Sequence, residues 1–146
     1  MSAADSRRSS TQPWILKITR TIMNDVLLIA SGAVVGANLR FAVSKAAARY
    51  LSASLPYGTL IINVSGSFII GLFLVWTSER VLADARWRAL IAVGFCGAYT
   101  TFSSYSFETF RLIEQGHYGL AAGNFVANNI ASLAAVLAGA AVARAL

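Results

Sequence analysis

The sequence has little charge, one cysteine and one histidine, and these absences exclude several classes of protein. Only 12% of the 146 residues are charged, whereas typical soluble domains carry about 25%. The single cysteine, Cys96, excludes an intrachain disulfide and any multi-cysteine metal site. The lone His117 lies in a predicted loop, where we expect it to be solvated. The sequence contains no Ser-His-Asp pattern, HExxH motif or phosphate-binding glycine loop, so it gives no support to an enzyme.

Apolar residues are abundant and lie in long runs. They make up 57% of the chain, and the mean hydropathy is +0.63. Four apolar segments cover residues 25–47, 57–76, 87–112 and 118–143, and about 20 helical residues suffice to cross the hydrocarbon core of a bilayer. Short links between long helices are typical of antiparallel neighbours. The sequence therefore predicts an all-α, multi-pass membrane protein with four transmembrane helices and no large extramembrane domain.

The domain division follows from the same pattern. Residues 1–22 are polar and basic, and we expect a loosely ordered tail there. Residues 23–146 form a single four-helix transmembrane domain in this prediction. Met23 stands immediately before the first apolar segment, which raises the hypothesis that translation begins at this residue.

The basic residues are spread along the chain rather than clustered. The net charge is +6, but a nucleic-acid-binding protein gathers its Lys and Arg on one face or in one run. We therefore expect contacts with lipid headgroups and no nucleic-acid partner. Eight basic residues fall on one predicted side of the membrane and four on the other: Arg7, Arg8, Lys17, Arg20, Arg80, Arg86, Arg88 and Arg144 against Arg40, Lys45, Arg49 and Arg111. Without residues 1–22 the bias vanishes, and such a chain could insert in both orientations and form an antiparallel dimer.

Polar and small residues recur at four-residue spacing within the predicted spans. The stripes are Thr59, Asn63, Ser67 and Gly71 in the second segment and Asn124, Asn128, Ser132 and Gly139 in the fourth. A polar side chain in hydrocarbon needs a partner, so such stripes mark surfaces that face protein or water. Interhelical hydrogen bonding and the lining of an ion pathway are both compatible with this pattern.

The first segment carries a similar stripe of small residues. Gly32 and Gly36 are followed at the same spacing by Arg40. One interpretation is a GxxxG packing face with Arg40 extending to the headgroups. The other gives Arg40 a role in drawing anions to the mouth of a pore.

The third segment is unsuited to an uninterrupted lipid-facing helix. Its stretch GFCGAYTTFSSYSFE, from Gly94 to Glu108, combines glycines, aromatics and a cluster of hydroxyls. Broken backbone at membrane depth is tolerated only where protein or a cavity satisfies it, and freed carbonyls are suitable ligands for a small cation. Phe102 and Tyr105 are three residues apart and share a helix face. Such a pair more often serves core packing than ion binding.

Three stretches resemble the small bacterial fluoride channels called Fluc, also known as CrcB proteins. They are GAVVGANLRF (32–41), PYGTLIINVSGSFIIG (56–71) and GFCGAYTTFSSYSFET (94–109), of which the last is highly specific. The resemblance implies a dual-topology, antiparallel homodimer of four-helix subunits in the bacterial inner membrane. It also implies a fluoride-selective channel that passively exports cytoplasmic fluoride and confers fluoride resistance. A structural sodium ion at the dimer interface would be held by the backbone carbonyls of Gly97 and Thr100.

The resemblance also assigns residues to the ion pathway. Asn63 would line the pore, the ring edge of Phe102 would contact passing fluoride, and Ser132 would belong to a polar track. Hydroxyl candidates are Thr101, Ser103 and Ser104, and Arg40 would lie at the vestibule. The family commonly has a second phenylalanine where this chain has Tyr105, so the added hydroxyl is a departure from the pattern.

Two rival interpretations remain at the level of sequence. A small proton-coupled exporter of hydrophobic cations shares the size and dual topology, but it usually needs a buried carboxylate, and the predicted spans have none at mid-depth. A purely structural membrane assembly factor would use every polar stripe for packing.

Overall fold

The computed structural model describes residues 13–52, 54–79 and 84–146, and regular structure in these ranges is entirely helical. Helix α1 covers Pro13–Tyr50, α2 covers Tyr57–Glu79 and α3 covers 85–99. Helix α4 covers Phe102–Glu114 and α5 covers Tyr118–Ala145. Within α3, the stretch Arg88–Cys96 has the wider π-helical hydrogen-bonding pattern. The predicted all-α architecture is confirmed.

Three of the helices are long and apolar enough to cross a membrane: Ile18–Tyr50 within α1, then α2 and α5. Helices α3 and α4 together cover the predicted third segment, and two residues of non-helical backbone separate them. Many large apolar side chains are exposed, among them Val35, Phe41 and Leu137, each about 60% exposed. A surface of this kind is suited to lipid or to another protein.

The expectation of a loosely ordered tail over residues 1–22 is wrong from residue 13 onward. Helix α1 begins at Pro13 and continues without interruption through Met23. Proline is well suited to the first turn of a helix, because its missing N–H would lack a partner there anyway. Lysine and arginine are also good helix formers. Residues 1–12 lie outside the described part of the chain.

The glycine stripe of α1 packs against α3. A Cβ atom on Gly32 would overlap the carbonyl oxygen of Leu90, and one on Gly36 would overlap that of Phe95. In the opposite direction, a Cβ on Gly94 would lie 2.6 Å from the carbonyl oxygen of Ile29. These backbones meet closely because no side chain stands between them, so the glycine spacing serves helix packing.

The polar stripes of α2 and α5 face each other in the interior. Asn124 and Asn128 of α5 are 2% and 4% exposed, and Ile62 of α2 is fully buried. Further along, Cβ atoms on Gly71 and Gly139 would overlap backbone of the opposite helix. The two helices are therefore in close contact along their length. This packing brings the second and fourth predicted segments together around the break between α3 and α4.

Candidate ion pathway

The break between α3 and α4 consists of two threonines in extended conformation. Thr100 has φ −78° and ψ 160°, and Thr101 has φ −151° and ψ 112°. The amide and the hydroxyl of Thr100 both donate to the carbonyl of Cys96, at 3.0 and 2.9 Å, which completes the end of α3. The Thr101 hydroxyl accepts a hydrogen bond from the Ser104 amide at 3.2 Å and caps α4. Gly97 has ordinary helical angles, so the threonines, and not the glycines, form the break.

Asn63 of α2 fixes the broken backbone. Its Oδ1 accepts from the Thr101 amide at 2.9 Å, and its Nδ2 donates to the Thr101 carbonyl at 3.2 Å. The same Nδ2 donates to Oδ1 of Asn128 at 3.0 Å. Asn128 in turn donates to the backbone carbonyl and side-chain oxygen of Asn124, at 3.1 and 2.9 Å. The Asn63 amide thus satisfies both polar backbone groups of Thr101, as buried polar groups require, and Asn128 and Asn124 extend the same hydrogen-bond network.

The α2 side of the break is shaped by a glycine and a tyrosine. A Cβ atom on Gly66 would overlap the methyl group of Thr100 and lie 3.1 Å from the ring of Tyr99. The Tyr99 hydroxyl and the Ser65 hydroxyl are 2.9 Å apart, within hydrogen-bonding distance. Tyr99 also stacks on Phe95, with the ring centroids 5.5 Å apart. The residues just before the break are therefore held against α2.

A cavity of about 350 Å³ lies at the break, between α2, α3, α4 and α5. Seven residues that the sequence assigned to the metal site or the ion pathway line it: Asn63, Gly97, Thr100, Thr101, Phe102, Tyr105 and Ser132. The rings of Phe102 and Tyr105 meet edge to face, with centroids 5.3 Å apart. Phe102 is 77% exposed in the single chain, whereas Tyr105 is 5% exposed. The cavity therefore combines polar groups with one largely uncovered aromatic ring.

The hydrogen-bond donors of this cavity are not equally available. Both hydrogens of the Asn63 amide and both of Asn128 are directed at protein acceptors. The hydroxyl oxygen of Ser132 is buried and has no hydrogen-bond partner among the described residues. A hydroxyl is both donor and acceptor, so the donor capacity of Ser132, a residue of the cavity lining, is unused within the described structure.

Comparison with known proteins identifies the family. The profile described as "CrcB-like protein, Camphor Resistance (CrcB)" matches residues 27–140. This chain belongs to the CrcB family. A relative from Koribacter versatilis (strain Ellin345), named "Fluoride-specific ion channel FluC", is 52% identical over 124 residues, which are 85% of this chain and 98% of the relative. Proteins of the same name from Sulfurihydrogenibium sp. (strain YO3AOP1) and Roseiflexus sp. (strain RS-1) are 42% and 47% identical, over 85% and 84% of this chain and 100% and 98% of theirs.

Three candidate residues of this CrcB chain do not line the cavity. Arg40 is partly exposed on α1, away from the lining. Ser103 and Ser104 are exposed and lie 3.3 and 3.0 Å from the Thr101 hydroxyl, with which they form the cap of α4. Within one chain, their hydroxyls therefore contribute to the end of a helix.

The sequence pattern did not reveal the roles of two polar residues of the CrcB chain, one in the cavity lining and one outside it. Asn129 lines the cavity and bonds to the Tyr105 hydroxyl at 3.0 Å. It stands one residue off the four-residue stripe, so the pattern gave no signal for it. Glu108 accepts a hydrogen bond from Thr59 at 2.7 Å, and its other carboxylate oxygen is buried without a partner in the described structure. The sequence pattern gave no indication that Glu108 of α4 would pair with Thr59 of α2.

Proposed function

We propose that this CrcB-family chain is a fluoride-selective ion channel that passively exports fluoride from the cytoplasm and thereby confers resistance to it. The observation that carries the proposal is the cavity at the α3–α4 break, with its unused Ser132 hydroxyl and exposed Phe102 ring. The chain is also similar, over nearly the whole length of several relatives, to proteins named as fluoride-specific channels. Conduction through such a cavity needs no chemical reaction, so the proposed function is that of a channel and not of an enzyme.

The cavity offers the groups that fluoride requires. Fluoride is small and strongly hydrated, so a pore must replace its water with donors at close range. The Ser132 hydroxyl supplies a conventional hydrogen bond, and the electropositive edge of the Phe102 ring supplies a weaker contact. Weak ligands allow the ion to leave as well as enter. The fixed amide network around Asn63 and Asn128 keeps these groups in place.

We also propose that two copies of the chain form the channel, in opposite orientations. Phe102 is 77% exposed in one chain, and Gly97 is exposed although it belongs to the cavity lining. A second copy would cover these residues and close the pathway. The near balance of basic residues after residue 22 favours insertion in both orientations. The proposed location is the bacterial inner membrane.

A structural sodium ion at the dimer interface fits the chemistry of the break. The C-terminal end of a helix leaves carbonyl oxygens without intrahelical partners and carries a partial negative charge. The candidate ligands are the backbone carbonyls of Gly97 and Thr100, and oxygen atoms are the ligands that hard cations prefer. Two carbonyls from one chain are an incomplete shell, so a second copy would supply the remainder. The ion would contribute fixed positive charge close to an anion pathway.

Fluoride efflux from liposomes that contain the purified protein tests the proposed function. Vesicles are loaded with potassium fluoride, and release is followed with a fluoride electrode after a potassium ionophore is added. We expect rapid fluoride release and no comparable release from chloride-loaded vesicles. Retention of fluoride by a folded preparation contradicts the channel. Uptake of a hydrophobic cation driven by a pH gradient identifies an exporter, and absence of both activities favours a structural membrane protein.

A further inference from the structure

The hydroxyl of Tyr105 occupies a defined position at the cavity. Tyr105 is 5% exposed, and both it and Asn129 belong to the cavity lining. Its phenolic oxygen lies 3.0 Å from Nδ2 of Asn129. A phenylalanine at this position would have no polar group there. The Tyr105 hydroxyl and Asn129 therefore form a polar pair that is distinct from the Asn63–Asn128–Asn124 network.

The direction of this hydrogen bond is fixed by a third group. Nδ2 of Asn129 also lies 2.7 Å from the backbone carbonyl of Phe125. A carbonyl only accepts, so the amide atom that faces it must be the nitrogen. One hydrogen of that nitrogen points to the carbonyl and the other to the phenolic oxygen. The Tyr105 oxygen consequently accepts, and its own hydrogen has no acceptor in the described part of the chain.

We infer that Asn129 holds the Tyr105 hydroxyl as a hydrogen-bond donor to the anion in the cavity, so that this pair sets the affinity of the pathway for fluoride. This inference rests on the proposed fluoride conduction and goes beyond it. Asn129 acts as a positioning residue, and Tyr105 provides the contact. A hydrogen bond to an ion is stronger than one between neutral groups. Fluoride is the smallest halide and the strongest hydrogen-bond acceptor among them, so an added O–H donor favours it over chloride.

The test compares fluoride flux in proteoliposomes at low fluoride for Tyr105→Phe, Asn129→Leu and the double variant. Tyr105→Phe retains the ring and loses the donor, and Tyr118→Phe, at a residue that is 69% exposed, is the matched control. We expect Tyr105→Phe to lower flux about tenfold, the factor that corresponds to about 1.4 kcal/mol. Asn129→Leu is expected to lower it roughly threefold, as befits a modest neutral hydrogen bond. In the Tyr105→Phe background, Asn129→Leu should have no further effect.

A spectroscopic readout separates this role from simple packing. In protein with ring-13C-labelled tyrosine, the Cζ resonance that disappears in Tyr105→Phe should shift when fluoride is added and stay unchanged with chloride. In Asn129→Leu that shift should shrink. Wild-type flux in both single variants, or an equal effect of Asn129→Leu with and without the Tyr105 hydroxyl, overturns the inference and leaves the channel intact. Failure of the wild-type protein to release fluoride overturns the channel and this inference together.

Discussion

Asn63 and Thr101 form a two-point contact in which a side-chain amide pairs with both polar groups of one backbone residue. The Thr101 amide donates to Asn63 Oδ1 at 2.9 Å, and Asn63 Nδ2 donates to the Thr101 carbonyl at 3.2 Å. The geometry matches what a neighbouring strand would offer to extended backbone. The Asn63 side chain thus makes the two hydrogen bonds that a neighbouring strand would otherwise make. Because the polar backbone of Thr101 is satisfied in this way, the break can be tolerated inside a membrane.

Replacement of this amide should destabilise the protein. Asn63→Leu leaves the amide and carbonyl of Thr101 and the Oδ1 of Asn128 without their partner. Since each buried polar group left unsatisfied costs about 1–3 kcal/mol, we expect a loss of about 3 kcal/mol in the free energy of unfolding. Thermal unfolding in detergent measures it, and fluoride flux should fall in parallel.

Asn63→Asp is the informative comparison for that prediction. Aspartate can still accept from the Thr101 amide, but its second oxygen faces two acceptors in place of a donor. We expect Asn63→Asp to lower the free energy of unfolding at least as much as Asn63→Leu does. Unchanged stability in both variants would show that the two-point contact contributes little.

Ser132→Ala should separate conduction from stability. The hydroxyl is buried without a partner in the described structure, so its removal relieves an unsatisfied group and should leave the midpoint of thermal unfolding unchanged or slightly raised. Fluoride flux should nevertheless fall, by about tenfold if one hydrogen bond to the ion is lost. Ser78→Ala, at an exposed serine that bonds to the Leu74 carbonyl of its own helix, serves as the control. Full flux in Ser132→Ala would assign the hydroxyl to packing.

Phe102→Ile should abolish or greatly reduce fluoride flux while the protein remains assembled. The substitution removes the aromatic edge and keeps an apolar side chain. Because Phe102 is 77% exposed in one chain, the fold of that chain should not depend on it. Phe110→Ile changes a residue on the same helix that is 51% exposed and does not line the cavity, and it should retain wild-type flux. Equal flux in the two variants would deny the ring any part in conduction.

Gly66→Ala should displace the broken backbone. The added methyl group would overlap the methyl of Thr100, and overpacking of this kind costs about 1–3 kcal/mol. We expect a lower unfolding midpoint and reduced flux. Thr100→Ser removes the opposing methyl group and retains the hydroxyl that bonds to the Cys96 carbonyl. The Gly66→Ala, Thr100→Ser double variant should therefore regain much of the lost unfolding midpoint and flux. If neither quantity recovers, the overlap with the Thr100 methyl group is not the cause of the loss.

Removal of sodium tests the proposed ion site. Protein purified with N-methyl-D-glucamine in place of sodium, and assayed in potassium fluoride vesicles that contain no sodium, should lose fluoride flux and show a lower unfolding midpoint. Return of sodium should restore both quantities, and return of the larger caesium ion should not. Identical fluoride flux and identical thermal stability with and without sodium would remove sodium from the proposal.

The sequence by itself determined the helical architecture, the polar faces of the second and fourth segments, and a break within the third. Each of these follows from local composition and spacing, because a bilayer demands long apolar helices and a polar side chain inside it demands a partner. The apolar pattern predicts a first helix from residue 25, whereas α1 begins at Pro13, because basic residues are compatible with a helix that extends beyond the apolar run.

Only the tertiary structure decided where the break lies and which donors remain free. The partners of Asn63 are 38 and 65 residues away in the chain, and the Tyr105 partner is 24 residues away. An amide hydrogen either bonds to a protein carbonyl or remains available to bind an ion. Which of the two occurs depends on the acceptor that the fold brings within about 3 Å. Spacing along a helix identifies the face on which a residue lies, but it carries no information about the group that stands opposite.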